Sequence, residues 1–411
     1  MACRFSKLLT GLALIAAMPL AAQIVLPGGG LPGLPSSDGL LNGPLNSAGQ
    51  LLDGTTSQVT AAMRQARLDR IDGLLRSNRA VLERDAVGEP ARRGVLLLID
   101  PDQASLDRAI ALGFATGRPS EIEGLGIAVV ELVLPAGTSL AKGEQQLRRA
   151  LPSVTIASDQ IHFQSGARSE RPAGFAHPAL TPVNVPIGII DGAPAQPVLA
   201  LRGFAKGAPA PSNHGSAVAS LASWAGARQL MVADVYGVDP AGGSSLAIGQ
   251  AIGWLVSSGA RVISISLVGP RNALVERAIR AAQARGVVLV AAVGNDGAAA
   301  PPSYPASYNG VLAITGVDRR NRVLIEAGRA SHVDYAAPGG DVQALDRDGR
   351  KVAVRGTSFA APLVAVRAAA AFERGLKPGS IRSALDSEAI PLSKRRPDPR
   401  TGRGLICSVC R

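Results

Sequence analysis

Val287–Asn295 reads VVLVAAVGN. Seven apolar residues run without a break before Gly294 and Asn295. A strand with one wet face alternates polar and apolar residues; this one does not, so both of its faces must be covered. Three more stretches share the pattern: VPIGIID (Val185–Asp191), LMVADVYG (Leu230–Gly237) and RVISISL (Arg261–Leu267). Helical segments near Gly215–Ala227, Ser244–Ser258 and Asn272–Arg285 fall between them. Strands buried on both faces and alternating with helices predict an α/β fold with a doubly wound parallel sheet. In such sheets the site lies beyond the carboxyl ends of the strands.

Those ends carry Asp191 and Asn295. SNHGSAVASLAS places His214 at a helix mouth, and GTSFAAP places Ser358 at another. Pro362 is expected to fall in the first turn of that second helix, where no amide donor is needed. A serine hydroxyl is a weak nucleophile until a base takes its proton, and histidine is the base suited to neutral pH. A carboxylate fixes the imidazole tautomer, while an Asn amide and a backbone N–H at a helix start can receive an oxyanion. Taken singly, each residue has a blander reading. Aspartates end strands for structural reasons, and Ser, Thr and His commonly cap helices. Together, four such residues at converging element ends form a set that acyl transfer requires.

The chain resembles the subtilisin-like serine protease family. IIDGAP is similar to its aspartate motif, HGSAVAS to its histidine motif and SISLVGP to its substrate-binding strand. VAAVGNDG is similar to its oxyanion segment, GTSFAAP to its serine motif and GRGLI to its closing segment. The order Asp, His, Ser is that of subtilisin. The resemblance implies Ser358 as nucleophile, His214 as general base and Asp191 as its orienting partner. It implies an oxyanion hole of Asn295 and the Ser358 N–H. Ser266, Leu267 and Val268 would pair with an extended peptide, and Ala292 and Gly294 would line the specificity pocket. Departures exist. Gly192 stands where the family has a hydroxyl residue, Ala217 where it has a second histidine, and Val268 where it has glycine. The branched Val268 predicts a preference for small residues on the acyl side of the cut. No cofactor and no metal are expected; the short Asp191–His214 spacing leaves calcium open.

Upstream, Arg4 and Lys7, the apolar run Leu8–Leu20 and PLAAQ read as an export signal over 1–22. This predicts a periplasmic or extracellular protein, or a membrane-anchored one if the signal stays uncut. Residues 23–50 form a Gly/Pro-rich linker and 51–92 an amphipathic helical segment. Residues 93–165 read as a small α+β unit of two helices on a sheet. Its position resembles that of the family's inhibitory pro-domain, which implies a self-processed precursor and an intramolecular inhibitor. Residues 166–184 are expected to be a cleavable connector and 185–411 the subtilisin-like domain.

Hydrophobic residues make up 46% of the 411 and aromatics only 3%, so the core is built from Ala, Val, Leu and Ile. The net charge of +12 sits almost wholly from Ile187 onward, with 26 Lys and Arg against 15 Asp and Glu. Those arginines are scattered and lack aromatics for stacking bases, which argues against nucleic acid and for a protein or peptide substrate. Cys407 and Cys410, in CSVC, are expected to close a small disulfide. His162, His177 and His332 fit no motif and are expected on the surface or in loops, and Asp296 in a turn. A protease-like envelope binding protein of weak activity is the alternative. Such proteins lose a triad member, and here none is lost.

Overall fold

The computed structural model describes residues 56–117, 119–164, 166–169 and 180–410. The expected signal, the 23–50 linker, His177 and most of the connector lie outside them.

The chain begins with helix α1 (Thr56–Ser77). A small antiparallel unit follows: β1 (Leu82–Arg84), β2 (Pro90–Ile99), α2 (Gln103–Ala111), β3 (Ala115–Thr116), β4 (Ser120–Ile122), β5 (Ile127–Val133), α3 (Leu140–Ala150) and β6 (Thr155–Gln160). β2 is central, flanked by β5, β6 and β1. The sheet therefore reaches back to Leu82, inside the stretch read from sequence as helical to residue 92. α1 stops at Ser77, and Asn78 closes its end by donating from Nδ2 to the Leu74 carbonyl at 3.0 Å. Two short strands come next, β7 (Phe163–Gln164) and β8 (Ala167–Ser169).

The larger unit contains β9 (Ile187–Asp191), β10 (Ala200–Gly203), α4 (Asn213–Trp224), β11 (Leu230–Asp234), α5 (Ser245–Ser257), β12 (Val262–Ile265) and β13 (Leu267–Val268). It continues through α6 (Ala273–Ala284), β14 (Val288–Ala292), β15 (Leu312–Val317), β16 (Tyr335–Pro338), β17 (Val342–Leu345), β18 (Lys351–Arg355), α7 (Thr357–Glu373) and α8 (Ile381–Glu388). Seven strands form one parallel sheet in the order β10-β11-β9-β12-β14-β15-β16. β8 joins β17 and β18 in a separate antiparallel sheet, so the start of the expected connector is paired strand.

Strand parity sorts the core. Ile187, Ile189, Val232, Val290 and Ala292 pack on the α4/α7 face. Ile190, Met231, Ala233, Leu289 and Ala291 pack on the α5/α6 face. Side chains two apart share a face, so Asp191, ending β9 in step with Ile187 and Ile189, belongs to the α4/α7 side.

The small sheet is also covered twice. Leu96, Leu98, Val130, Leu132 and Ile156 pack beneath α2 and α3. Leu97, Ile99, Ile127, Val129 and Ala157 lie in one core with α5 and α6. The interleaving residues of the same strands thus glue the small unit to the large one. Polar groups fix the register of that contact. Asp159 accepts the Leu246 N–H in the first turn of α5 at 2.9 Å. Asn272, which caps α6, donates to the Ser158 carbonyl and to Gln160, each at 2.9 Å. Burial pushes the Asp159 carboxyl up, against the pull of Arg92.

Candidate active site

Asp191 and His214 meet because two turns press together. Ser212 caps α4 by accepting the Gly215 N–H at 2.9 Å. A Cβ on Gly215 would run into the Gly192 carbonyl, so glycine lets the α4 mouth sit directly on the end of β9. His214 Nδ1 then lies 2.9 Å from both Asp191 carboxylate oxygens. Asp191 is fully buried and also accepts the Gly192 N–H at 2.6 Å. With Nδ1 on the carboxylate, Nε2 is the nitrogen left to face a reacting group.

Ser358 is the second residue of α7, and the His214 ring stands 5.2 Å from the ring of the adjacent Phe359. The Ser358 hydroxyl donates to the Ser266 carbonyl at 3.1 Å. Pro362 lies beyond the first turn, contrary to the sequence expectation. Lacking an N–H, it leaves the Ser358 carbonyl one turn back without its helical donor. The Ser266 hydroxyl supplies that donor at 2.9 Å. Ser266 is therefore tied to both ends of residue 358.

The N-cap residue of α7 supplies no side-chain bond of its own. Its cap, Gly356, has φ 147°, a value glycine adopts freely. The first helical amide, Thr357 N–H, goes to Asn295 Oδ1 at 3.0 Å. Thr357 Oγ1 donates to the Gly294 carbonyl at 3.1 Å and accepts the Gly294 N–H at 3.0 Å. These bonds lock the GN and GTS segments together. They also fix which way the Asn295 amide points: Oδ1 is used, and buried Nδ2 has no partner among the described residues. An open amide donor beside a helix N-terminus favours developing negative charge.

The five substrate-side residues separate. Leu267 pairs antiparallel with Gln164, and Val268 with Phe163. The chain's own β7 thus occupies the strand expected to pair with a peptide. Val268 and Gly294 line a cavity of about 280 Å³ with Phe163, Asp296 and Tyr304. Ala292 is fully buried on the α7 face and is not among the residues lining that cavity.

Three features went unread in the sequence. Gln164 Nε2 donates to Asp191 Oδ1 at 2.9 Å, which no local motif signals. His162, expected at the surface or in a loop, does lie in the loop between β6 and β7 but is fully buried, with neither ring nitrogen hydrogen-bonded among the described residues. Its ring packs against the Gly269 backbone, and burial pushes its pKa down to about 4. Asp296 sits in its expected bend but is paired with Arg67 and Arg70 of α1. His332 does lie in a partly exposed loop, 3.4 Å from Asp334. Cys407 and Cys410 are joined by a disulfide, with Cα atoms 5.3 Å apart. Among the described residues no group of three or more His, Cys, Asp or Glu is placed to hold a metal. Nor, among them, is any helix long and apolar enough to cross a membrane.

A carboxylate on an imidazole, a helix-mouth serine whose neighbour Phe359 packs against that imidazole, and an open amide donor form a set that acyl transfer can use. Comparison with known proteins agrees. The Subtilase family model matches residues 205–404, which include His214, Asn295 and Ser358. Subtilisin BL from Lederbergia lenta is 32% identical over 221 residues, covering 49% of this chain and 81% of that protein. Thermitase from Thermoactinomyces vulgaris is 32% identical over 187 residues, covering 45% and 65%. The structure of fervidolysin from Fervidobacterium pennivorans, described as a keratinolytic enzyme related to subtilisin, superposes with a TM-score of 0.65 at 18% identity. That match covers 78% of this chain and 61% of fervidolysin, and it speaks to the fold alone. The chain belongs to the subtilase family and is a serine endopeptidase of the subtilisin type.

Proposed function

We propose that Ser358 is the nucleophile, His214 its general base and Asp191 the carboxylate that orients His214. Asn295 Nδ2 and the Ser358 N–H form the oxyanion hole. His214 takes the Ser358 proton as the hydroxyl attacks a peptide carbonyl, then gives it to the leaving amine. Water repeats the cycle on the acyl group. The observation that carries this reading is the Asn295 amide, held by Thr357 so that a buried N–H stands open beside Ser358.

We further propose that the protein is exported as a precursor in which residues 56–164 are an intramolecular inhibitor. Support comes from β7 on the substrate strand and from Gln164 on Asp191. A Cβ at Gly166 would lie 3.1 Å from His214 Nε2, so the chain passes over the base itself. Cleavage in the connector, between residues 165 and 184, frees the cleft. The test is to express wild type and Ser358→Ala and to map the new N-terminus by mass spectrometry. Wild type is expected to split in the connector and Ser358→Ala to stay whole. Splitting of pure Ser358→Ala at the same bond contradicts the reading.

A further inference from the structure

We propose that the buried pair Glu326–Arg355 positions the oxyanion hole: it ties the segment that carries Asn295 to the turn that delivers Ser358. The inference rests on the serine-protease reading and extends it to two residues outside every motif that carries the family resemblance.

The bonds close a ring. The Gly328 N–H donates to the Gly294 carbonyl at 2.6 Å, and the Gly297 N–H to the Glu326 carbonyl at 2.9 Å. Loop 326–328 therefore brackets Asn295, with one bond before it and one after. The contact is close, since a Cβ on Gly328 would lie 2.4 Å from the Val293 carbonyl. Glu326 stands in a turn that the Ala327 N–H closes on the Leu324 carbonyl at 3.0 Å. Its side chain is fully buried and reaches Arg355, the last residue of β18. Arg355 Nη2 donates to Glu326 Oε2 at 3.1 Å, while Nε lies 2.8 Å from Oε1, off the line of a hydrogen bond. Gly356 and Thr357 follow Arg355, and the Thr357 N–H returns to Asn295 Oδ1 at 3.0 Å. The path thus runs from Asn295 through Glu326, Arg355 and Thr357 and back, with Ser358 one residue beyond its last link.

A buried ion pair adds little net stability over apolar residues of the same volume, because desolvation offsets the attraction. What it supplies is geometry, since a planar guanidinium fork holds a carboxylate in one orientation. In this ring the fork sets how far loop 326–328 stands from the mouth of α7. The Asn295 amide is held between those two elements, so the pair aims its open Nδ2 without touching it. Glu326 and Arg355 act through Asn295 and are positioning residues. Every member of the ring lies within 185–411, so loss of the inhibitory segment removes none of these partners.

The experiment uses self-processed protein and steady-state turnover of a peptide anilide. Arg355→Lys keeps the charge and loses the fork. It is expected to lower kcat by about tenfold with KM little changed. In an Asn295→Ala background the same change is expected to cost nothing further, because the pair acts through that amide. A purely structural role would cost the same factor in both backgrounds, and equal factors overturn the inference. A broken buried pair can unfold the chain, so Glu326→Met/Arg355→Met is made as well. It leaves no charge unpaired and is expected to keep wild-type resistance to urea. Its kcat is expected to fall by a similar factor, again only where Asn295 is present. A folded double variant with wild-type kcat overturns the inference. Wild type that turns over no peptide overturns the serine reading and the inference with it. Wild-type turnover alongside either contrary result overturns the inference alone.

Discussion

Asn295 shows how one residue serves two purposes at a serine-protease site. Its oxygen holds the first amide of α7, and that bond leaves its nitrogen as the open donor. Asn295→Ala removes the donor and is expected to lower kcat by about 10²–10³-fold with KM little changed, read by steady-state kinetics. A matching rise in KM would instead mark a substrate-binding role. Asp191, His214, Asn295 and Ser358 were legible because each stands at an element end that a short local pattern announces. The bonds between them were not. The Thr357–Gly294 clasp joins residues 63 apart, and Pro362 hands the Ser358 carbonyl to Ser266 across 92. No local pattern encodes such partners. Asp296 read as a turn residue for the same reason: its cations lie 226 positions away for Arg70.

At the scale of elements, glycines set how closely strand ends and helix mouths approach. Gly215→Ala would drive a methyl into the Gly192 carbonyl, separating α4 from β9. The expected cost is about 1–3 kcal/mol in urea unfolding, accompanied by loss of activity; wild-type stability and activity would show that the junction yields. The junction after β6 carries a titrating group. Burial holds His162 near pKa 4 against 6.5 when free. The released or unfolded state therefore binds a proton that the docked state refuses. Stability is unaffected above pH 6.5, falls as the pH drops from 6.5 toward 4, and loses nothing more to this group below 4. The full effect is about 3 kcal/mol. Denaturation of Ser358→Ala at stepped pH should show this slope, and His162→Leu should flatten it; identical slopes would remove His162 as the cause. His162 reads as a surface or loop residue; its burial was not legible because it sits in the short loop between β6 and β7 and its cover, Gly243 and Gly269, comes from distant segments.

Across the whole molecule, two sheets share one pair of helices. α5 and α6 cover the parallel sheet with one side and the small unit with the other. The parallel sheet was legible because its strands are apolar throughout, the mark of double cover. That the small sheet is also covered twice was not foreseen, although LLLI in β2 is just such a run. Gly253 on α5 marks a close approach: a Cβ there would sit 2.5 Å from the Glu123 carbonyl. Gly253→Val in full-length Ser358→Ala is expected to loosen residues 82–160 and expose them to added trypsin, with the larger unit still resistant. Equal resistance would mean that the docking tolerates the intrusion. The account as a whole turns on one atom, the Ser358 hydroxyl. Its most direct test is to treat self-processed wild type and folded Ser358→Ala with a fluorophosphonate and to locate the adduct by peptide mass mapping. The account predicts a single adduct on Ser358 in wild type and none in the variant. Folded, processed wild type that takes no label at Ser358 would contradict it.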